Sequence, residues 1–169
     1  MSAKWNLDTS HSEVQFKIKH MVISTVTGEF LDFTASAETE NDDFQGGKFQ
    51  FQAEVDSINT RNPQRDEHLK SNDFFGGTDF PTLSFSGTME GDQIKGEMSI
   101  KGTTKPLVLH AEFGGVITDP YGNTRAGFEL TGQLNRKDFG LNWDALTESG
   151  GVVVSDIVKL FVNLEFVKQ

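Results

Sequence analysis

The chain of 169 residues has no cysteine, so disulfides, thiolate chemistry and cysteine-ligated zinc are excluded. Basic charge is thin: 15 Lys and Arg stand against 25 Asp and Glu, for a net charge of −10. No basic run is longer than a pair. A surface of that sign repels phosphate backbones, which argues against nucleic acid as a partner, and no polybasic membrane anchor is present. The longest apolar runs are only a few residues, against the ~20 that a membrane-spanning helix needs. The opening segment from Met1 to Asp8 lacks the apolar core of a signal peptide. The expectation is a cytoplasmic protein, or a periplasmic one if a leader has been removed. Polar aromatics are rare too, one Tyr and two Trp against 15 Phe. Phe supplies bulk without a polar handle, which suits an ordinary β core or a wide apolar wall.

What the chain has in quantity is alternation with a period of two. Val14, Phe16 and Ile18 alternate with Glu13, Gln15, Lys17 and Lys19. Leu31, Phe33, Ala35 and Ala37 form a second run, and Phe49, Phe51, Ala53 and Val55 a third. Leu83 with Phe85, Met98 with Ile100, and Leu107, Leu109, Ala111 and Phe113 follow. Ala126, Phe128, Leu130 and Leu134 make another, and Val158, Leu160, Val162, Leu164 and Phe166 the last. One apolar and one wet face per run is the pattern of antiparallel strands. Turn signals separate them: Gly46-Gly47, Gly91-Asp92 with glycine first, and Asp119 to Asn123. About eight long, one-sided strands point to an all-β fold closed into a barrel, because closure removes exposed edges; a two-sheet sandwich is the alternative.

Only the stretch from Asn62 to Lys70 lacks alternation. Asn62 can cap a helix and Pro63 fits its first position. This predicts one short helix in a long crossover from Thr60 to Pro81, lying over the barrel, with Phe74, Phe75 and Phe80 placed to plug an end. No linker or repeat interrupts the chain, so residues 1–169 read as one domain.

Catalytic and metal motifs are sparse. The segment from Asn41 to Gly46 begins like a calcium loop, but its twelfth position is Gln52 where a bidentate Glu is needed. His11, His20, His68 and His110 form no close metal-ligand pair, and no metal site is expected. His20 shares the parity of Ile18 and points inward; His110 points outward. An enzyme would use His68 as a base oriented by Asp66, or His20. The structural reading, in which Arg65, Asp66 and His68 fasten the helix to the barrel, is favoured. No nucleophile elbow, phosphate loop or dinucleotide fingerprint occurs. The apolar face itself remains. In a small barrel such side chains fill the interior or line a cavity for one ligand. Small residues on or beside that face, Ala35, Ala37, Ala53, Gly96, Ala111, Ala126 and Gly132, are compatible with both.

Several spaced motifs together resemble the YceI-like family. They are Trp5 to Asp8 with His11 to Phe16, Lys19-His20-Met21 with Gly28-Glu29-Phe30, and Ser57 to Thr60 with Arg65 to Ser71 and Asp73-Phe74-Phe75. Phe80 to Phe85, Ile100 to Pro106, Ala126-Gly127-Phe128, Asn135 to Gly140 and Val154-Ser155-Asp156 continue the resemblance over essentially the whole chain. One departure is Val22, where the family often has glycine, and it bears on the shape of the ligand entrance. The resemblance implies a lipocalin-like extended barrel that binds a polyisoprenoid, such as a polyprenyl or quinone-type lipid, along its interior. It also implies a possible homodimer, and no cofactor beyond a bound isoprenoid lipid. On that basis the protein is expected to be a non-catalytic carrier or store. Its wall residues, chosen by parity, are Phe16, Ile18, Phe33, Phe51, Phe85, Met98, Leu109, Phe128, Leu130, Leu160 and Val162. His20 and Asn135 are candidates for a polar head. The rivals are an enzyme acting on an apolar substrate and a solid-core structural or stress protein.

Overall fold

The computed structural model describes residues 2–143 and 154–169. Its strands are β1 (Ala3–Leu7), β2 (Glu13–His20), β3 (Ser24–Phe30), β4 (Phe33–Thr39), β5 (Lys48–Glu54), β6 (Ile58–Asn59), β7 (Thr82–Glu90), β8 (Gln93–Ile100), β9 (Thr103–Thr118), β10 (Thr124–Asn135) and β11 (Val154–Lys168). Six of these are halves of longer strands. β1 and β2 lie end to end along β11, with Leu7 opposite Phe166 and Glu13 opposite Asn163. β3 and β4 run back along β2 and β1, and β5 and β6 along β4 and β3. With β7 to β11 this makes eight antiparallel strands in sequence order, closed where the first meets the last. The fold is the expected all-β barrel, not a sandwich.

The breaks within the long strands have local causes. Asp8 accepts a hydrogen bond from the Ser10 amide at 3.1 Å and starts a single 3-10 turn, Thr9–His11, between β1 and β2. Leu31 and Asp32 form a two-residue bend between β3 and β4. The odd step of three from Phe30 to Phe33 across it switches which parity faces inward. Phe30 and Phe33 are therefore both buried, and Leu31, expected inside, is 63% exposed.

The turns at Gly46-Gly47, Gly91-Asp92 and Asp119–Asn123 lie together at one end of the barrel, called here the closed end. The β2–β3 turn lies at the other end, the mouth. There β6 is only two residues long and pairs with β3 alone. The crossover covers this gap with the expected helix α1 (Pro63–Lys70). Asn62 caps it by accepting from the Arg65 amide at 3.1 Å. Arg65 Nε donates to Thr60 Oγ1 at 2.8 Å, and Asp66 Oδ1 accepts from the Thr60 amide at 2.9 Å. Thr60 directly follows β6, so these bonds fasten helix to barrel. Lys101 Nζ donates to the Asn72 carbonyl at 2.6 Å and ties the crossover to the β8–β9 turn. Phe74 is buried and Phe75 half-buried, but Phe80 is 37% exposed and packs outside against Gly102 rather than plugging an end.

Candidate functional site

The closed end is solid. Phe44, on the β4–β5 turn, has φ of +61° and no exposed surface. Positive φ is costly for a residue with a Cβ, and here it aims an aromatic ring into the barrel. The Phe44 ring lies 5.0 Å from those of Trp5 and Phe128 and 5.4 Å from that of Phe113. Phe128 in turn meets Phe49 at 5.4 Å and Phe166 at 5.9 Å. Asp43 Oδ1 accepts from the Gln45 amide, and Gln45 exchanges two hydrogen bonds with the backbone of Gly91. The turn that begins like a calcium loop therefore seats the plug.

Between this plug and the mouth lies a cavity of about 310 Å³. Phe49 and Phe166 separate it from the solid end. Nine of the eleven residues chosen by parity line it: Phe16, Ile18, Phe51, Phe85, Met98, Leu109, Leu130, Leu160 and Val162. The other two do not. Phe128 belongs to the plug, because parity assigns a face but not a height along the barrel. Phe33, next to the bend, is buried with its ring 6.3 Å from that of Phe51. His20 lines the cavity near the mouth. Asn135 does not line it; its carboxamide accepts from the Lys137 amide at 3.0 Å and caps a 3-10 turn over Arg136–Phe139. Parity also missed lining residues outside the strands, namely Leu69, Phe74, Phe75, Leu141 and Trp143. No periodic signal marks such positions.

His68 lines the cavity too, but not as the partner of Asp66, whose carboxylate is taken by Thr60. His68 Nε2 lies 2.9 Å from Asp73 Oδ2, and its ring stands edge-on to Trp143 at 4.8 Å and Phe74 at 5.2 Å. Arg136, 2% exposed, fixes the wall beside them. It donates to four backbone carbonyls: Ser155 at 2.9 Å, Leu141 and Trp143 at 2.7 Å each, and Val154 at 3.3 Å. The segment after β10 is thereby tied to the first residues of β11.

Among the described residues, one group of His and carboxylate atoms lies close enough to hold a metal: Asp8, His11 and Glu165, at the closed end and away from the cavity. A guanidinium already occupies it. Arg125 Nη1 donates to Asp8 at 2.9 Å and Glu165 at 2.8 Å, while Nε donates to Asp119 at 2.7 Å. His11 first, then Ser10 and Arg125, hold the Asp8 carboxyl well below the ordinary range. The Arg125 hydrogen bond is the main cause that lowers Asp119 to about 2. Asp8 raises His11 above its ordinary 6.5. The depressed carboxylates contribute stability that is present above their ordinary value near 4 and lost as pH falls through their folded values. The raised histidine contributes stability that is present below 6.5 and lost as pH rises through its folded value. Thermal unfolding across pH should therefore show an acid decline that flattens in Asp119→Asn and an alkaline decline that flattens in His11→Gln. Unchanged profiles in both variants would show that the cluster adds nothing to folding.

Known proteins share this architecture. A UPF0312 protein from Staphylococcus epidermidis is 37% identical over 165 residues, covering 96% of both chains, and one from Staphylococcus aureus is 36% identical over 164 residues. The crystal structure of a Campylobacter jejuni YCEI protein is 30% identical, with a TM-score of 0.76 over 89% of this chain and 90% of that one. A polyisoprenoid-binding domain from Saccharophagus degradans shares the fold at 13% identity, with a TM-score of 0.67 over 98% of each chain. The YceI-like domain model matches residues 5–166. The chain belongs to the YceI-like family.

Proposed function

We propose that the protein binds the apolar tail of a long-chain lipid, of isoprenoid or quinone type, in the barrel cavity, and that it carries or stores this lipid without transforming it. The observation that carries the reading is the cavity wall, built almost wholly of aliphatic and phenyl side chains beneath a mouth with a few polar groups. Such a wall suits transfer of hydrocarbon from water and offers little to a polar substrate. The polyisoprenoid-binding domain of the same fold supports the ligand class.

Size sharpens the proposal. A cavity of about 150 Å³ accommodates benzene, so this one holds on the order of ten to twelve carbons, roughly two isoprene units. Burying that many carbons contributes about 8 kcal/mol before the cost of ordering the chain. A longer lipid must leave the remainder, with its head group, beyond the mouth. Organic extraction of the purified protein followed by mass spectrometry should find an isoprenoid lipid. An extract without lipid, from protein that also takes up none on incubation, would refute the carrier reading.

A further inference from the structure

The β2–β3 turn places Met21, Val22 and Ile23 in solvent, 39%, 70% and 82% exposed. They add little to the core. The turn is also conformationally costly, since Met21 has φ of +51° and Val22 of +66°. A β-branched residue with positive φ is an outlier that glycine or asparagine would avoid. Three apolar side chains are thus held outward at a strained tip, while His20, directly before them, and Val26, three residues after, line the cavity. The tip stands at the mouth.

The wall behind the tip is basic. Lys17 and Lys159 are direct partners across β2 and β11, and Lys19 follows on the same face of β2. Like charges set opposite each other cost stability, a cost offset for Lys17 by its Nζ lying 4.9 Å from the centre of the Phe161 ring. Asp156, at the start of β11, is already bound to Lys137 at 3.2 Å. In a chain of net charge −10, three lysines beside an apolar tip form a local exception. Shallow insertion of apolar side chains with lysines behind them is how a protein surface engages an anionic bilayer.

We infer that the Met21–Ile23 tip docks the barrel mouth on an anionic lipid bilayer, the phase from which a water-insoluble isoprenoid would enter the cavity. The inference rests on the carrier reading for its purpose but not for its geometry. The tip inserts, Lys17, Lys19 and Lys159 face the head groups, and the lipid tail passes between bilayer and cavity without crossing water.

Flotation of the full chain with vesicles tests this, comparing phosphatidylcholine alone with phosphatidylcholine holding about 30 mol % phosphatidylglycerol. The protein should float with the anionic vesicles and less with the neutral ones. Ile23→Asp should lower the bound fraction by about tenfold. The double variant Lys17→Glu, Lys159→Glu should lose the preference for anionic vesicles. Val22→Gly should bind vesicles more weakly yet unfold at a higher temperature, because glycine relieves the positive φ. Opposite signs in one variant separate docking from misfolding. Farnesol uptake in vesicle-free solution should be the same in Ile23→Asp and in the lysine double variant as in the wild type. Flotation that does not respond to Ile23→Asp, or no flotation at all, would overturn the inference. So would a dimer in sedimentation that Ile23→Asp dissociates, which would assign the tip to a second copy of the chain. Tip-dependent flotation without farnesol uptake would uphold docking and defeat the carrier reading.

Discussion

Replacing Arg136 by methionine should lower the unfolding free energy by about 3–5 kcal/mol, a large share of the roughly 5–15 kcal/mol that holds a domain together. The side chain is 2% exposed and donates to four carbonyls, those of Leu141 and Trp143 after β10 and of Val154 and Ser155 at the start of β11. Methionine keeps most of the volume and removes every donor. The carbonyls are then left without their partner, and an unsatisfied buried group costs about 1–3 kcal/mol. Leu141 and Trp143 also line the cavity, so the wall should loosen together with the fold. Denaturant unfolding gives the first effect and ligand titration the second. A loss under 1 kcal/mol would mean that water replaces the guanidinium at these carbonyls.

Replacing Ala35 by phenylalanine should nearly abolish ligand uptake while leaving the fold intact. Ala35 lines the cavity opposite Phe51. A phenyl ring fills a space of about 150 Å³, roughly half of the 310 Å³ present. About five ligand carbons are then excluded. At ~0.8 kcal/mol each this is roughly 4 kcal/mol, or on the order of a thousandfold in affinity. The ring enters the cavity rather than a packed core, so stability should hold or rise slightly. Calorimetric titration with a short isoprenoid alcohol would read the change. Wild-type affinity in this variant would place the ligand elsewhere on the protein.

Sequence reading reached the strands, the helix and the inward parity of nine of the eleven proposed wall residues, because each depends on neighbours along the chain. Alternation sets which side chain faces inward, and Asn62-Pro63 starts the helix by capping and by a fixed φ. Leu31 failed because the bend at Leu31-Asp32 reverses parity and has no sharp local signature. Asn135 failed because its carboxamide serves the backbone two residues on, a common role for Asn before a turn. In the favoured reading Arg65, Asp66 and His68 all fasten the helix to the barrel; Arg65 and Asp66 do so through Thr60, while His68 turns to Asp73, because Thr60 reaches Asp66 only after the crossover folds back on β6.

By itself, then, the sequence determined an antiparallel barrel with an apolar inside and a helix in its crossover. Period-two patterning and turn chemistry are properties of consecutive residues, and the YceI-like motifs, spread over the chain, agreed with them. Whether that inside is solid or hollow was decided only in three dimensions. Strands of equal parity yield a solid end where Phe44, Phe49, Phe128 and Phe166 fall at one height, and a cavity where Ala35 stands among longer side chains. The heights follow from register and closure, which depend on residues far apart in the chain. The same holds for the lysines behind the Met21–Ile23 tip. Lys17 and Lys19 are neighbours on one face of β2, but only the pairing of β2 with β11 brings Lys159 beside them at the mouth.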